Sequence, residues 1–278
     1  MAEKLAVVTG ASAGIGLHTA LGLARAGMRV VMVGRHPRRT EAARRLVMDQ
    51  LPGAKVETAL ADFSALDAVR ALAADILARH DRLDILVNNA GLISPRYAVS
   101  AEGYELTVAV NHLAPFLLTN LLLDRLKASA PARVVTVASQ AHRGARLDLA
   151  TMTHPPGWTP LSAYGRSKLA NILFTRALAA RLDPAMVTVC CLHPGVIATD
   201  IGDRAGSLAG LGWRLGKIFL PSPDKGAKAS LFLATTADPA PFHGAYVIGD
   251  KIVEPDAAAR DDQVAAALWE ESARLVGL

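Results

Sequence analysis

Seven short runs dense in Val, Ile, Leu and Ala recur along this chain, with a helical pattern between most of them. The runs cover residues 4–9, 29–34, 55–61, 83–88, 133–138, 187–192 and 244–248. Segments ending at Ala26 and covering 38–51, 66–79, 102–127, 161–182, 225–237 and 256–276 carry apolar residues at helical spacing. The 102–127 segment reads as one long helix or two joined near Pro115. Strands written as unbroken apolar runs are buried on both faces, and alternation with helices selects a parallel sheet with crossovers on both sides. The expected architecture is therefore α/β, one doubly wound domain over residues 1–278 with a mostly parallel seven-stranded sheet and helices on both faces. A composition 51% hydrophobic but only 5% aromatic suits such stacking, and 278 residues are enough for one large core. No linker, repeat or low-complexity tract divides the chain.

Charge narrows the partners. The formal net charge is +5, and apart from Arg35-His36-Pro37-Arg38-Arg39 the basic residues are dispersed, so no nucleic-acid face is expected. A mild positive balance favours an anionic small molecule. Cys190 and Cys191 are neighbours in a strand, which sends them to opposite faces as packing residues in a reducing compartment. With the histidines scattered, no metal set is expected. Only Met1-Ala2-Glu3 precedes the first run, and the stretch 113–123 is broken by Pro115 and Asn120. A soluble, cytoplasmic protein without a membrane span is the expectation.

Gly10, Gly14 and Gly16 stand between the first strand and its helix. Such a turn is either a bare strand-to-helix connection or a pyrophosphate cradle, with glycines for a tight turn and close backbone approach. In the second case Gly14, Ile15 and Gly16 would offer helix-terminal N–H groups to phosphates. Arg35 lies just past the second strand, where an acidic residue would bind the ribose diol of NAD; a guanidinium there suits a 2′-phosphate instead. Ser12 is placed to donate to the same phosphate, whereas Arg38 and Arg39 read as a solvated helix face. Asp62, followed by Phe63, reads by itself as the cap of the next helix. Asn88-Asn89-Ala90-Gly91 is by composition a tight turn at a strand end.

Tyr164 and Lys168 are four apart at the head of an apolar helical segment and so project from one face. A phenol titrates near ~10, and an ammonium about 5 Å away at an effective dielectric of about 20 favours the phenolate by roughly 3 kcal/mol. That is about two pKa units, enough to bring the hydroxyl towards working range. Taken alone, the pair equally reads as a packed ring beside a snorkelling ammonium.

Thr9–Gly16, Asn88–Gly91, Asn111, Ser139, Tyr164-x-x-x-Lys168 and Pro194-Gly195 occur in the order of the short-chain dehydrogenase/reductase family, which the chain resembles over most of its length. The stretches 110–120, 167–174, 268–272 and 275–278 are similar to its retinol dehydrogenase-like branch, whose members often carry a membrane anchor. The resemblance implies a Rossmann-type domain that binds NADP(H) and moves a hydride between the nicotinamide and a carbonyl or alcohol. Tyr164 would be the proton donor or acceptor, Lys168 would tune it and bind the nicotinamide ribose, and Ser139 would donate to the substrate oxygen. Asn111 would hold a water that joins Lys168 to a proton relay. Asn89, Ala90 and Gly91 would line the adenosine ribose, Asp62 and Phe63 the adenine, and Pro194, Gly195, Val196 and Thr199 the nicotinamide amide. The alternative, a regulatory NADP(H) sensor, needs none of Ser139, Tyr164 and Lys168. His142 reads as a solvated loop residue or a substrate contact, and His193 as a structural hydrogen-bonding group.

Two connections, 142–160 and 201–223, are long for this fold and follow strand carboxyl ends, so they are expected to wall the substrate cavity. The first brings Leu147, Leu149, Met152, Pro155, Pro156 and Trp158; the second brings Leu208, Leu211, Trp213, Leu215, Ile218 and Phe219. Such walls suit a bulky apolar ketone or aldehyde, retinal-like, steroid or aromatic polyketide. The five glycines between 202 and 216 fit a mobile lid or a surface helix equally. Family members commonly pair through helices, which leaves a homo-oligomer open.

Overall fold

A computed structural model describes residues 3–195 and 222–278. The elements are β1 (Leu5–Thr9), α1 (Gly14–Arg25), β2 (Arg29–Gly34), α2 (Pro37–Gln50), β3 (Val56–Leu60), α3 (Leu66–Arg79) and β4 (Ile85–Asn88). They continue with α4 (Leu106–Ala128), β5 (Ala132–Val137), α5 (Pro160–Ala179), β6 (Val187–His193), α6 (Pro223–Thr235), β7 (Tyr246–Ile248), β8 (Lys251–Ile252) and α7 (Asp262–Val276). One sheet runs in the order β3-β2-β1-β4-β5-β6-β7-β8 and is parallel up to β7. The Rossmann-type α/β architecture read from the sequence is therefore present.

The strand count is eight rather than seven. β8 pairs antiparallel with β7 through Val247–Ile252 and Ile248–Lys251. It is two residues long and exposed, so it leaves no apolar run in the sequence.

Side-chain alternation builds two apolar layers from the same strands. Leu5, Val7, Val31 and Val33 pack towards α3, α4, α5 and α7. Ala6, Val8, Val30 and Met32 pack towards α1, α2 and α6. Cys190 and Cys191 obey the same rule, one in each layer, both buried thiols. Among the described residues α4 is the one helix long and apolar enough to cross a membrane, and 78% of its most apolar window is buried in this core. It is a single helical stretch with a wide π turn at Ala109–Leu113, just ahead of Pro115.

The chain begins in the middle of the sheet, runs outward to β3, and returns to place β4 beside β1. That reversal opens a crevice beyond the carboxyl ends of β1 and β4, the place where such sheets take ligands.

Candidate active site

On one side of the crevice the geometry is made by backbone. Thr9 Oγ1 donates to Val87 O and accepts from the N–H groups of Asn89 and Ala90, both at 3.0 Å. Asn89 Nδ2 donates to Thr9 O at 2.8 Å. The ends of β1 and β4 are thereby sewn together, and the turn between them has no room for side chains. A Cβ on Gly16 would lie 2.4 Å from Gly10 O, and one on Gly10 would lie 2.9 Å from Ala90 Cα. Gly14 has φ 57°, the left-handed region that glycine tolerates. Ile15 turns its side chain onto Ala227 and Leu231 of α6, leaving its amide as what it can offer a ligand. α1 starts at Ala13 with no side-chain cap and no acidic residue in its first turn. Its first N–H groups suit an anion, and Ser12 sits half-buried at their edge.

Further out, Arg35 Nη1 lies 3.9 Å from Asp62 Oδ2, both side chains being 45% exposed. A pair this exposed contributes about 0–1 kcal/mol, so it restrains Arg35 only weakly. Asp62 does not cap α3; its Oδ1 accepts from the Ser64 N–H and hydroxyl at 3.0 and 2.7 Å. Glu102 serves α3 instead, accepting from the Leu66 N–H. Partial burial pushes the Asp62 carboxyl up, but the Ser64 hydrogen bonds, Arg35 and His36 together hold it below its ordinary value. Phe63 packs its ring in the core, so any contact it makes with a ligand falls to its backbone. Arg38 and Arg39 are exposed on α2, as expected.

On the other side the geometry is made by side chains. Lys168 is 3% exposed and donates from Nζ to Val137 O at 2.8 Å. Its Nζ lies 5.5 Å from the Tyr164 ring centroid, and a Cβ on Gly91 would sit 3.6 Å from it. Ser139, at the carboxyl end of β5, accepts on Oγ from the Ala141 N–H at 3.2 Å, which leaves its O–H to donate. Burial brings the Lys168 ammonium down to about 8. Burial raises the Tyr164 phenol, and a hydrogen bond with Ser139 offsets part of that rise. Burial, which disfavours the phenolate, thus outweighs the lowering expected from Lys168, whose Nζ is engaged by the Val137 carbonyl.

Asn111 lies in the π turn of α4 and has its side chain fully used. It donates to Leu92 O at 2.9 Å and Ser167 Oγ at 3.0 Å, and accepts from the Leu92 N–H at 2.8 Å. It thus clamps the loop after β4 to α5. His142 is neither solvated nor on the surface: its ring is fully buried, with Nδ1 2.6 Å from Ser139 O. His193 takes the structural role read for it, accepting from the Gln140 N–H at 3.3 Å, and burial, with the Arg143 guanidinium nearby, depresses it to about 4. Pro194 and Gly195, the latter at φ 89°, directly follow β6. Val196, Thr199 and the 201–221 part of the second long connection lie outside the described residues.

Side chains of the first long connection divide between the core and a hollow beside α5. Met152 is buried in the core, and Leu147 and Leu149 pack against it. A hollow of about 220 Å³ between this loop and α5 is lined by Pro155 and Pro156 but also by Arg146, Asp148 and Arg166. Glu105 is a structural hub that the sequence reading missed. It is 1% exposed, caps α4 through the Val108 N–H, and accepts from the Trp158 indole at 3.0 Å. Its signal was a cap directly ahead of a helix, but its second partner, Trp158, is 53 residues away. Among the described residues no group of histidines, cysteines and carboxylates could hold a metal.

Comparison with known proteins gives the family and the fold. A family model described as short chain dehydrogenase matches residues 4–207. Retinol dehydrogenase 13 of Homo sapiens is 40% identical over 281 residues, covering 99% of this chain and 85% of the relative. Among solved structures, an uncharacterized protein from Mycobacterium paratuberculosis superposes with a TM-score of 0.79 at 33% identity, covering 99% of this chain and 94% of that one. The active-site complex of Pseudomonas aeruginosa RhlG with NADP superposes with a TM-score of 0.70 at 28% identity, covering 90% and 96%.

Proposed function

Because the chain belongs to the short-chain dehydrogenase/reductase family of oxidoreductases acting on alcohol and carbonyl groups, we propose that it is an NADP(H)-dependent reductase of a bulky apolar ketone or aldehyde. The observation that carries this is the way two glycines join the two sides of the crevice. Gly10 abuts Ala90, and the next residue but one after Asn89, Gly91, abuts Lys168 Nζ. The loop that closes the dinucleotide turn is therefore the loop against which the catalytic ammonium rests.

The residues fit the cofactor. The glycine turn and the first amides of α1 would hold the pyrophosphate, Ser12 and Arg35 the 2′-phosphate, and Lys168 the nicotinamide ribose. The dinucleotide, when bound, supplies the hydride. Tyr164 gives a proton to the substrate oxygen; burial keeps the phenol protonated at neutral pH, the form that reduction requires. Ser139 donates its O–H to the same oxygen as negative charge develops there. With the Asn111 side chain committed to Leu92 and Ser167, a relay water falls to the Asn111 carbonyl. Pro115, four residues on, has no N–H to return to that carbonyl.

A retinol dehydrogenase at 40% identity supports a long apolar substrate, retinal-like in kind. NADP in the RhlG complex supports the phosphorylated cofactor. The test is NADPH oxidation by the purified protein against aliphatic aldehydes, retinal, steroids and polycyclic ketones. Tyr164→Phe should still bind NADPH yet lose about 10²–10⁴-fold in kcat on the best substrate. Full activity in that variant would end the proposal.

A further inference from the structure

His142 has none of its surface exposed, and each of its ring nitrogens meets a partner of fixed polarity. Nδ1 lies 2.6 Å from the carbonyl oxygen of Ser139, a group that can only accept. Nε2 lies 3.3 Å from the backbone N–H of Asp256, a group that can only donate. Together these partners admit one state, a neutral imidazole with its proton on Nδ1. The ring packs edge-on against Tyr246 at 5.1 Å between centroids, which holds its plane. The Asp256 carboxylate accepts in turn from the Gly144 N–H at 2.8 Å, closing a loop of contacts around residues 139–144.

Ser139 needs such a hold. Its backbone is extended, with φ −165° and ψ 155°, and only a single 3₁₀ turn, Gln140–His142, follows it. The hydroxyl that faces Tyr164 is attached to that backbone, and a displacement of about 1 Å in a reacting group can lower a rate about 10²-fold.

We propose that His142 is a positioning residue, a neutral imidazole that clamps the Ser139 main chain to the Asp256 turn and so aims the Ser139 hydroxyl at the substrate oxygen. This rests on the carbonyl-reductase reading above. Its test compares His142→Asn, His142→Gln and His142→Leu in the full chain, using NADPH and the best carbonyl of the panel. Asparagine places an amide N–H near the Nδ1 position, whereas glutamine reaches only the Nε2 position. The Leu and Gln variants should lose about 10–100-fold in kcat with KM for NADPH within about twofold of wild type. The Asn variant should return to within about fivefold. A Leu variant within about twofold of wild-type kcat, or a Gln variant equal to Asn, would overturn the proposal. Should Leu prevent folding, the Asn–Gln comparison still decides.

A second readout does not depend on turnover. NMR of the protein carrying isotope-labelled histidine should show the His142 ring protonated on Nδ1 and bare on Nε2 at neutral pH. The other tautomer, or an imidazolium, would refute the clamp. A wild-type protein that reduces no carbonyl would defeat the parent reading, and the ring state would then judge the clamp by itself.

Discussion

α1 and α5 both point their first turns towards the crevice region, and they are finished in opposite ways. α5 begins with a capping box: Thr159 accepts from the Ser162 N–H, and Ser162 accepts from the Thr159 N–H. α1 begins at Ala13 with no side-chain acceptor. Every other described helix has at its start a proline, a capping side chain or a carboxylate in the first turn. The difference separates two ways of making a site. α1 presents backbone amides and must stay unsealed to do so, while α5 is sealed at its end and works through Tyr164 and Lys168 on its flank. Substitutions on the two sides should therefore fail differently, in affinity on the α1 side and in turnover on the α5 side.

After Tyr164→Phe, the largest effect should come from Ser139→Ala, which removes a donor at the developing oxyanion. We expect kcat to fall about 10²–10³-fold with NADPH affinity unchanged, measured by steady-state kinetics and by fluorescence titration of the coenzyme. A fall in affinity without a fall in kcat would dissolve the division between the two sides.

Next in size is a pH effect at Lys168, whose ammonium burial lowers from 10.5 to about 8. Below pH 8 the folded and unfolded chains both hold this proton, and the desolvation penalty is fully felt. Between pH 8 and 10.5 the unfolded chain holds more of the proton than the folded one, so this group makes stability rise with pH. Relative to Lys168→Met, the cofactor-free protein should gain on the order of 3 kcal/mol across that window. Parallel stability curves for the two proteins in urea would show that Lys168 is not a buried ammonium.

How far these sides were legible follows from how each is made. Gly10, Gly14 and Gly16 announced themselves because a backbone cradle needs residues without side chains, and spacing records that need directly. The β-strand runs were equally plain, since strands buried on both faces are apolar throughout. On the α5 side the sequence showed Ser139, Tyr164 and Lys168 by type but not their surroundings. His142 looked like a loop residue because its second partner, Asp256, is 114 positions away. The Lys168 ammonium looked aimed at the phenol because helical spacing gives a shared face, not where a flexible four-carbon stem ends. Pro115 suggested a break in α4, yet tertiary packing keeps the helix continuous and a π turn absorbs the misfit.

Arg35→Asp sharpens the α1 side. Replacing a guanidinium with a carboxylate at the 2′-phosphate should weaken NADPH binding about 10–100-fold while leaving NADH within about threefold. Equal losses for both coenzymes would mean that Arg35 acts through Asp62 and the fold of the 60–64 turn, not through the phosphate.

The smallest effect probes the unsealed helix start itself. Ala13 has extended backbone angles, φ −166° and ψ 171°, already suited to a capping residue. Ala13→Asn should stabilise the cofactor-free protein by about 1 kcal/mol, read as a raised urea midpoint. Ala13→Asp should stabilise it similarly, but its charge would also oppose the pyrophosphate and weaken NADPH about tenfold. The two substitutions share the cap and differ in the charge, so their comparison isolates what the α1 amides are kept for. If neither raises the midpoint, the first turn already has acceptors and the contrast with α5 loses its basis. If both raise it and only Asp weakens NADPH, the amides that lack a side-chain partner are the ones that meet the phosphates.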